Sequence, residues 1–211
     1  MSKKKYQINP TAEGLMYRRT IVLSGEIDRR SIAYISQRLM ALQMQSSDWI
    51  NLIIDSNGGN LEAALQLGDL ITIILTAPVR GIALGNCGSA ATFIMLQCQE
   101  RISTPYSRFM IHSGISNQIS IPINHTTSEY LEQLLAEMKS ADEMIIRLYA
   151  DRLTPLAWQE SKPTDEERHA FVQQLIKRGD QRFDDWLSAE EAIQIGLVDK
   201  IQYEKLEIFS D

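Results

Sequence analysis

The chain has 211 residues, 44% of them hydrophobic and 23% charged, enough to bury roughly 70% of its unfolded surface in one core and too apolar for wholesale disorder. Its 21 basic and 27 acidic side chains leave a net charge of −6, a field that repels a nucleic-acid backbone, so no nucleic-acid partner is expected. Cys87 and Cys98 lack CxxC spacing and form no ligand pattern with His112, His125 and His169. No metal, signal peptide or membrane span is expected, and two free thiols suit a cytoplasmic protein.

Residues 1–17 mix Lys, Asn, Pro and Gly without a period and are expected to form a flexible arm, with residues 18–211 as a single domain. Thr20 to Leu23 reads as a buried strand. Asp28 then caps a helix whose apolar residues Ile32, Ile35, Leu39 and Leu42 recur at helical spacing. A second unit follows, with a strand at Ile50 to Ile54, a turn from Asp55 to Asn60, and a helix from Leu61 to about Leu75 that stops before Pro78. A third has a strand at Val79 to Leu84, a turn of small residues from Gly85 to Gly88, and a helix from Ser89 to about Cys98. Such alternation predicts an α/β fold with a parallel sheet and helical crossovers. Short strands are expected at Arg101 to Ser103 and Arg108 to Ile111.

After a polar loop, an amphipathic helix from about Ser128 to Arg152 carries Leu131, Leu134, Leu135, Met138, Ile145 and Leu148 on one side. That is more apolar surface than one crossover uses. Thr164 with Glu167, and Ser188 with Glu191, have the spacing of capping boxes for two further helices, ending at Gly179 and Gly196. Leu197 to Ile201 reads as a closing strand.

Loops at the carboxyl ends of parallel strands converge on a crevice, the usual seat of a reaction centre. The turn at Ser56 to Asn60 contains Gly58 and Gly59, so backbone amides there can approach a ligand or an oxyanion; a plain tight turn explains the same residues. In Gly85 to Ala91, Ser89 opens a helix among small neighbours that admit a carbonyl, and the helix N-terminus favours charge building on it. The bland reading is a small-residue turn packing a helix on the sheet. His112 closes a strand and can serve as base, although a lone histidine is more often a satisfied polar residue. Asp184 and Asp185 are the candidate acids; as a solvated pair before a capped helix they need no catalytic role.

Taken in order, Arg19 to Asp28 (RTIVLSGEID), Leu52 to Asn60 (LIIDSNGGN), Gly81 to Ala91 (GIALGNCGSAA), Ser107 to His112 (SRFMIH) and Trp186 to Lys200 (WLSAEEAIQIGLVDK) resemble the proteolytic subunit of the Clp protease, within the Clp/crotonase fold. The likeness runs from about Met16 to Gln202. It implies a serine endopeptidase with Ser89 as nucleophile, His112 as base and Asp184 as acid, oxyanion amides at Gly58 and Ala90, and Gly59 beside the substrate. It further implies self-assembly into stacked heptameric rings, with the helix at about 128–152 as the ring-to-ring handle, and an AAA+ unfoldase that feeds in unfolded protein. The chain has no phosphate-binding loop, so ATP belongs to that partner and no cofactor is expected.

Some residues depart from the family pattern. Asn57 replaces a proline, Ala90 and Ala91 replace Met-Gly, Ser113 to Asn124 replaces a glycine-rich strand, and the region from about Thr154 to Arg182 is lengthened. An arginine expected before the acid is Phe183. Three other functions fit the same fold: a Ser-Lys dyad peptidase using Lys139, a crotonase-type acyl-CoA enzyme using the amides without a serine, and a non-catalytic ring subunit. Lys139 falls on the polar side of its helix, and the pairing of Ser89 with His112 counts against the acyl-CoA reading.

Overall fold

The computed structural model describes residues 18–113, 127–158, 160–181 and 186–206. The arm expected over residues 1–17, most of the segment after His112, and both candidate acids, Asp184 and Asp185, lie outside them.

Strand β1 (Thr20–Ile27) leads into α1 (Arg29–Gln45). Asp28 caps α1 as its sequence suggests, accepting from the Ser31 amide while Ser31 Oγ accepts from the Asp28 amide. Ile32, Ile35, Leu39 and Leu42 are fully buried on its inner stripe. Strand β2 (Ile50–Gly59) is followed by α2 (Leu61–Asp69), whose last turn widens into a π-helical segment at Leu70–Ile74. Then come β3 (Val79–Gly88), α3 (Ala90–Gln97), β4 (Glu100–Ser103) and β5 (Arg108–Met110). The second half comprises α4 (Ser128–Arg152), a 3-10 turn at Leu156–Trp158, α5 (Asp165–Gln181), α6 (Ala189–Gln194) and β6 (Lys200–Ile201).

The strands form one sheet in the order β1-β2-β3-β4-β6, and its paired strands are parallel, as the alternation of elements requires. Helices α1, α2 and α3 pack against one another and on the sheet, which confines the core to that face, whereas Val22 and Leu84 on the strands remain partly open.

Both expected glycine turns are extensions of strands. Residues Asp55 to Gly59 continue β2, and Gly85 to Gly88 continue β3. Local sequence shows turn residues there because the strands shift register: Ile54 pairs with Ala83, but Ser56 pairs with Cys87. The extra β3 residues bulge at Gly85, whose φ of 88° places it in the left-handed region. Asp55 Oδ1 accepts from the Asn86 amide (3.1 Å), filling the gap the bulge opens. The closing strand is only two residues long, because Leu197 and Val198 enter the core and their amides bond back to Ala192 O at the end of α6.

β3 has two successive partners. Its first half pairs with β4 and its last three residues with β5. Between these, Thr104 N and Ser107 Oγ both donate to Ala83 O, 3.1 and 2.9 Å, and steer the chain from one partner to the next. β5 thereby lies beside the strand end that carries Ser89.

Candidate active site

Ser89 stands between β3 and α3 and occupies the N-cap position; the helix itself begins one residue later than its apolar pattern suggests. Its φ of 51° and ψ of −125° lie outside the regions open to most L-residues. Such strain persists only where the surroundings hold it, and it is a known feature of nucleophiles displayed on strand-to-helix turns. Here the restraint is explicit. The Ser89 amide donates to Met110 O (2.7 Å), and Ser89 O accepts from both Thr92 N (2.9 Å) and Thr92 Oγ1 (2.7 Å).

His112 follows β5 and is half-buried, as is Ser89. Because Gly88 pairs with Met110, the two candidate residues leave adjacent strand ends. Among the described residues no hydrogen bond joins the Ser89 hydroxyl to the His112 ring.

Gly58 touches the backbone of Ser89. A Cβ built on it would come within 2.6 Å of Ser89 Cβ, 2.8 Å of Gly88 O and 3.0 Å of Ala90 N, and its φ is 108°. Only glycine fits. Its amide donates to Ser56 Oγ (3.0 Å), and Ser56 Oγ in turn donates to Gly25 O. Among the described residues the Ala90 amide, first in α3, has no such acceptor, as expected of a helix N-terminus. Gly59 fits equally tightly on the other side, where a Cβ would meet Ile27 O at 2.2 Å. Asn57 Oδ1 accepts from Asn86 Nδ2 (2.9 Å), joining the ends of β2 and β3. These strand ends line a cleft of about 430 Å³ whose walls include Ser24, Glu26, Asn57, Gly58, Gly59 and Asn86.

The segment after the candidate acids is fixed beside the histidine's strand. Phe109 and Leu187 exchange both backbone hydrogen bonds, 2.9 and 2.7 Å, in an antiparallel bridge. Trp186 packs over Gly88, where a Cβ would lie 3.0 Å from the indole, and Arg108 lies 5.4 Å from the centre of that ring.

Cys87 and Cys98 are free and fully enclosed; burial pushes the Cys98 thiol up to about 12 and that of Cys87 higher still. They are inert at neutral pH. Lys139 is exposed on α4, which suits a solvated stem and not a desolvated base. No group of metal-ligating side chains occurs among the described residues, and none of their helices is long and apolar enough to cross a membrane.

Sequence reasoning did not single out Ser56, Thr92 or Tyr149. Thr92, three residues after Ser89, had a local signal, because a threonine at that spacing can bond back to the carbonyl before it. Tyr149 had none. Its hydroxyl reaches Thr92 Oγ1 (2.6 Å) across 57 residues, and a tyrosine on the apolar side of a helix reads as core.

Comparison with known proteins agrees with this architecture. The Clp protease family profile matches residues 2–205. The chain is 28% identical to an ATP-dependent Clp protease proteolytic subunit 2 of Treponema denticola, over 90% of this chain and 84% of that one. It is 30% identical to the subunit 2 of Pseudomonas aeruginosa at the same coverages. With the ATP-dependent Clp protease proteolytic subunit of Oryza sativa subsp. japonica the identity is 32%, over 93% and 82%. Among solved structures, an N165D mutant of ClpP1 from Listeria monocytogenes superposes with a TM-score of 0.70 at 26% identity, covering 92% of this chain and 97% of that one. The sheet, the ordered segments and these likenesses over nearly the whole length establish that the chain belongs to the Clp protease family, a family of peptide hydrolases.

Proposed function

We propose that the chain is a serine endopeptidase in which Ser89 attacks the scissile carbonyl, His112 takes the proton and returns it to the leaving amine, and Asp184 orients the imidazole. The observation that carries this reading is the backbone of Ser89: a strained residue at a strand-to-helix junction, tied to β5 through Met110 and fitted against a glycine no other residue can replace. Gly58 and Ala90 supply the oxyanion amides, and Gly59 lines the substrate. Because the Gly58 amide already donates to Ser56 Oγ, the developing oxyanion shares or displaces that bond, whereas the Ala90 amide needs no rearrangement.

The choice of Asp184 over Asp185 rests on the family likeness. That likeness puts the family's aspartate two residues before the stretch Trp186-Leu187-Ser188-Ala189, which is Asp184, and Leu187 of that stretch is bridged to the strand that leads to His112. The relatives are named as subunits of an ATP-dependent protease. By analogy we read this chain as a component of stacked heptameric rings that receive unfolded protein from an AAA+ unfoldase, with no cofactor of its own.

The test is labelling by a fluorophosphonate probe and hydrolysis of a fluorogenic peptide, beside a native mass measurement. Ser89→Ala and His112→Ala should each abolish both activities and leave the assembly mass unchanged. Full activity in His112→Ala with loss in Lys139→Ala would replace the triad by a dyad, and acyl-CoA turnover surviving in Ser89→Ala would indicate the crotonase reading.

A further inference from the structure

A buried chain of hydroxyls runs from helix α4 to the nucleophile's own peptide group. Tyr149 is fully enclosed, with its ring packed on Phe93 at 4.5 Å between centroids. Its hydroxyl lies 2.6 Å from Thr92 Oγ1, and Thr92 Oγ1 lies 2.7 Å from Ser89 O. Proton counting fixes the direction. A carbonyl can only accept and a threonine hydroxyl has one proton, so Thr92 gives its proton to Ser89 O and accepts from Tyr149. Burial raises the Tyr149 phenol well above its usual range, more than the Thr92 contact lowers it, so the donor stays protonated at any working pH.

Ser89 C=O and Ala90 N–H are two ends of one planar peptide unit. A donor held on the carbonyl both fixes the plane and draws electron density toward the oxygen, which makes the N–H at the other end a stronger donor. We propose that Thr92 and Tyr149 are positioning residues for the oxyanion: through the Ser89 carbonyl they aim and polarise the Ala90 amide, and they make its quality depend on where α4 sits. This rests on the reading of Ser89 as nucleophile and extends it. Neither side chain touches substrate. The same bonds restrain the carbonyl side of Ser89, whose ψ is −125°, so a shift of α4 that withdraws the Tyr149 hydroxyl would relax the site without moving His112.

The experiment uses the assembled full-length protein and four variants. Tyr149→Phe keeps the ring against Phe93, Thr92→Val keeps the shape, Thr92→Ser restores the hydroxyl, and Ser89→Ala is the reference. Measured are kcat and KM on a fluorogenic peptide, inhibition by a peptide aldehyde whose hemiacetal oxygen occupies the oxyanion position, inhibition by the matching product peptide, and Tm. Thr92→Val and Tyr149→Phe should each lower kcat about tenfold with KM nearly unchanged. They should weaken the aldehyde in the same proportion and leave product binding alone. Thr92→Ser should recover most of the loss, and the double variant should be no worse than Thr92→Val, because the bonds act in series. Wild-type kcat in both hydroxyl variants below their Tm, or equal weakening of aldehyde and product, would overturn the proposal. Should Thr92→Val fail to fold, Tyr149→Phe and Thr92→Ser carry the same comparison. Retained turnover in Ser89→Ala would instead remove the underlying reading of the nucleophile.

Discussion

Gly58 and Ser89 show how a single atom constrains this site. A methyl group at position 58 would need the space of Ser89 Cβ, and the backbone there has φ near 108°, so Gly58→Ala combines strain with a clash against Ser89. Peptide turnover in this variant should fall by about a hundredfold or more, and Tm should fall as well; turnover measured well below the variant's Tm separates the two. The placement of Ser89, His112 and Gly58 at neighbouring strand ends was legible, because the sequence puts each after a strand of a sheet that gathers its loops at one side. Thr92 and Tyr149 were not, since their partnership exists only once α4 lies beside α3. Gly196 obeys a similar rule away from the site. Its φ is 72° and a Cβ would fall 2.3 Å from the Thr154 backbone, which explains why α6 stops there.

At the scale of elements, N-caps read from sequence held, whereas the glycine turns and the helix stop expected at Gly179 did not, since α5 runs on to Gln181. Thr164 with Glu167 and Ser188 with Glu191 form both bonds of their boxes, because a capping box depends only on residues within one turn. Ser188→Ala should therefore cost about 1 kcal/mol of stability, seen as a lower midpoint in denaturant with unchanged slope. The glycine stretches were misread because a strand may bulge only where its neighbour leaves room, and that neighbour is distant in sequence. The neighbouring strands β3, β4 and β6 add a pH dependence. Burial alone would raise the Glu100 carboxyl, but hydrogen bonds from Lys200 (2.7 Å) and Arg80 outweigh it and hold it below its ordinary value of 4.5. A carboxyl lowered by folding stabilises fully above its unfolded value and loses that contribution as pH falls through the folded one. Glu100→Gln should thus melt below wild type at neutral pH, and the gap should narrow as pH drops beneath about 4.5.

Across the whole molecule, α4 divides into two regimes. Ile145, Ile146, Tyr149 and Ala150 are buried against the core, whereas Tyr130, Leu131 and Leu135 are 40–50% exposed. The surplus apolar surface legible in the sequence therefore belongs to the first half of the helix. The lengthened region braces the second half: Trp158 packs edge-on against Phe171 at 5.1 Å, Arg168 donates to Ala150 O, and His169 pairs with Glu143 at 3.0 Å. If the exposed half is the ring-to-ring contact, Leu135→Glu should reduce the native mass from the stacked assembly to smaller species and leave Tm of the subunit nearly unchanged. Fold class was the most legible property of all, because β-α alternation permits few topologies; which copies meet, and how many, depends on surfaces that no local period encodes.

The bridge between Phe109 and Leu187, and the bonds from Arg101 to Asp199 across 98 residues, have a consequence for synthesis. While the polypeptide is still emerging from the ribosome, β4 lacks β6 and β5 lacks its antiparallel neighbour, so a nascent chain that has already made Ser89 and His112 exposes an open sheet edge beside them. Contacts this distant close late and slowly. The partners that complete β4 and β5 are thus the last to be made, and the sheet beside Ser89 closes only after they arrive.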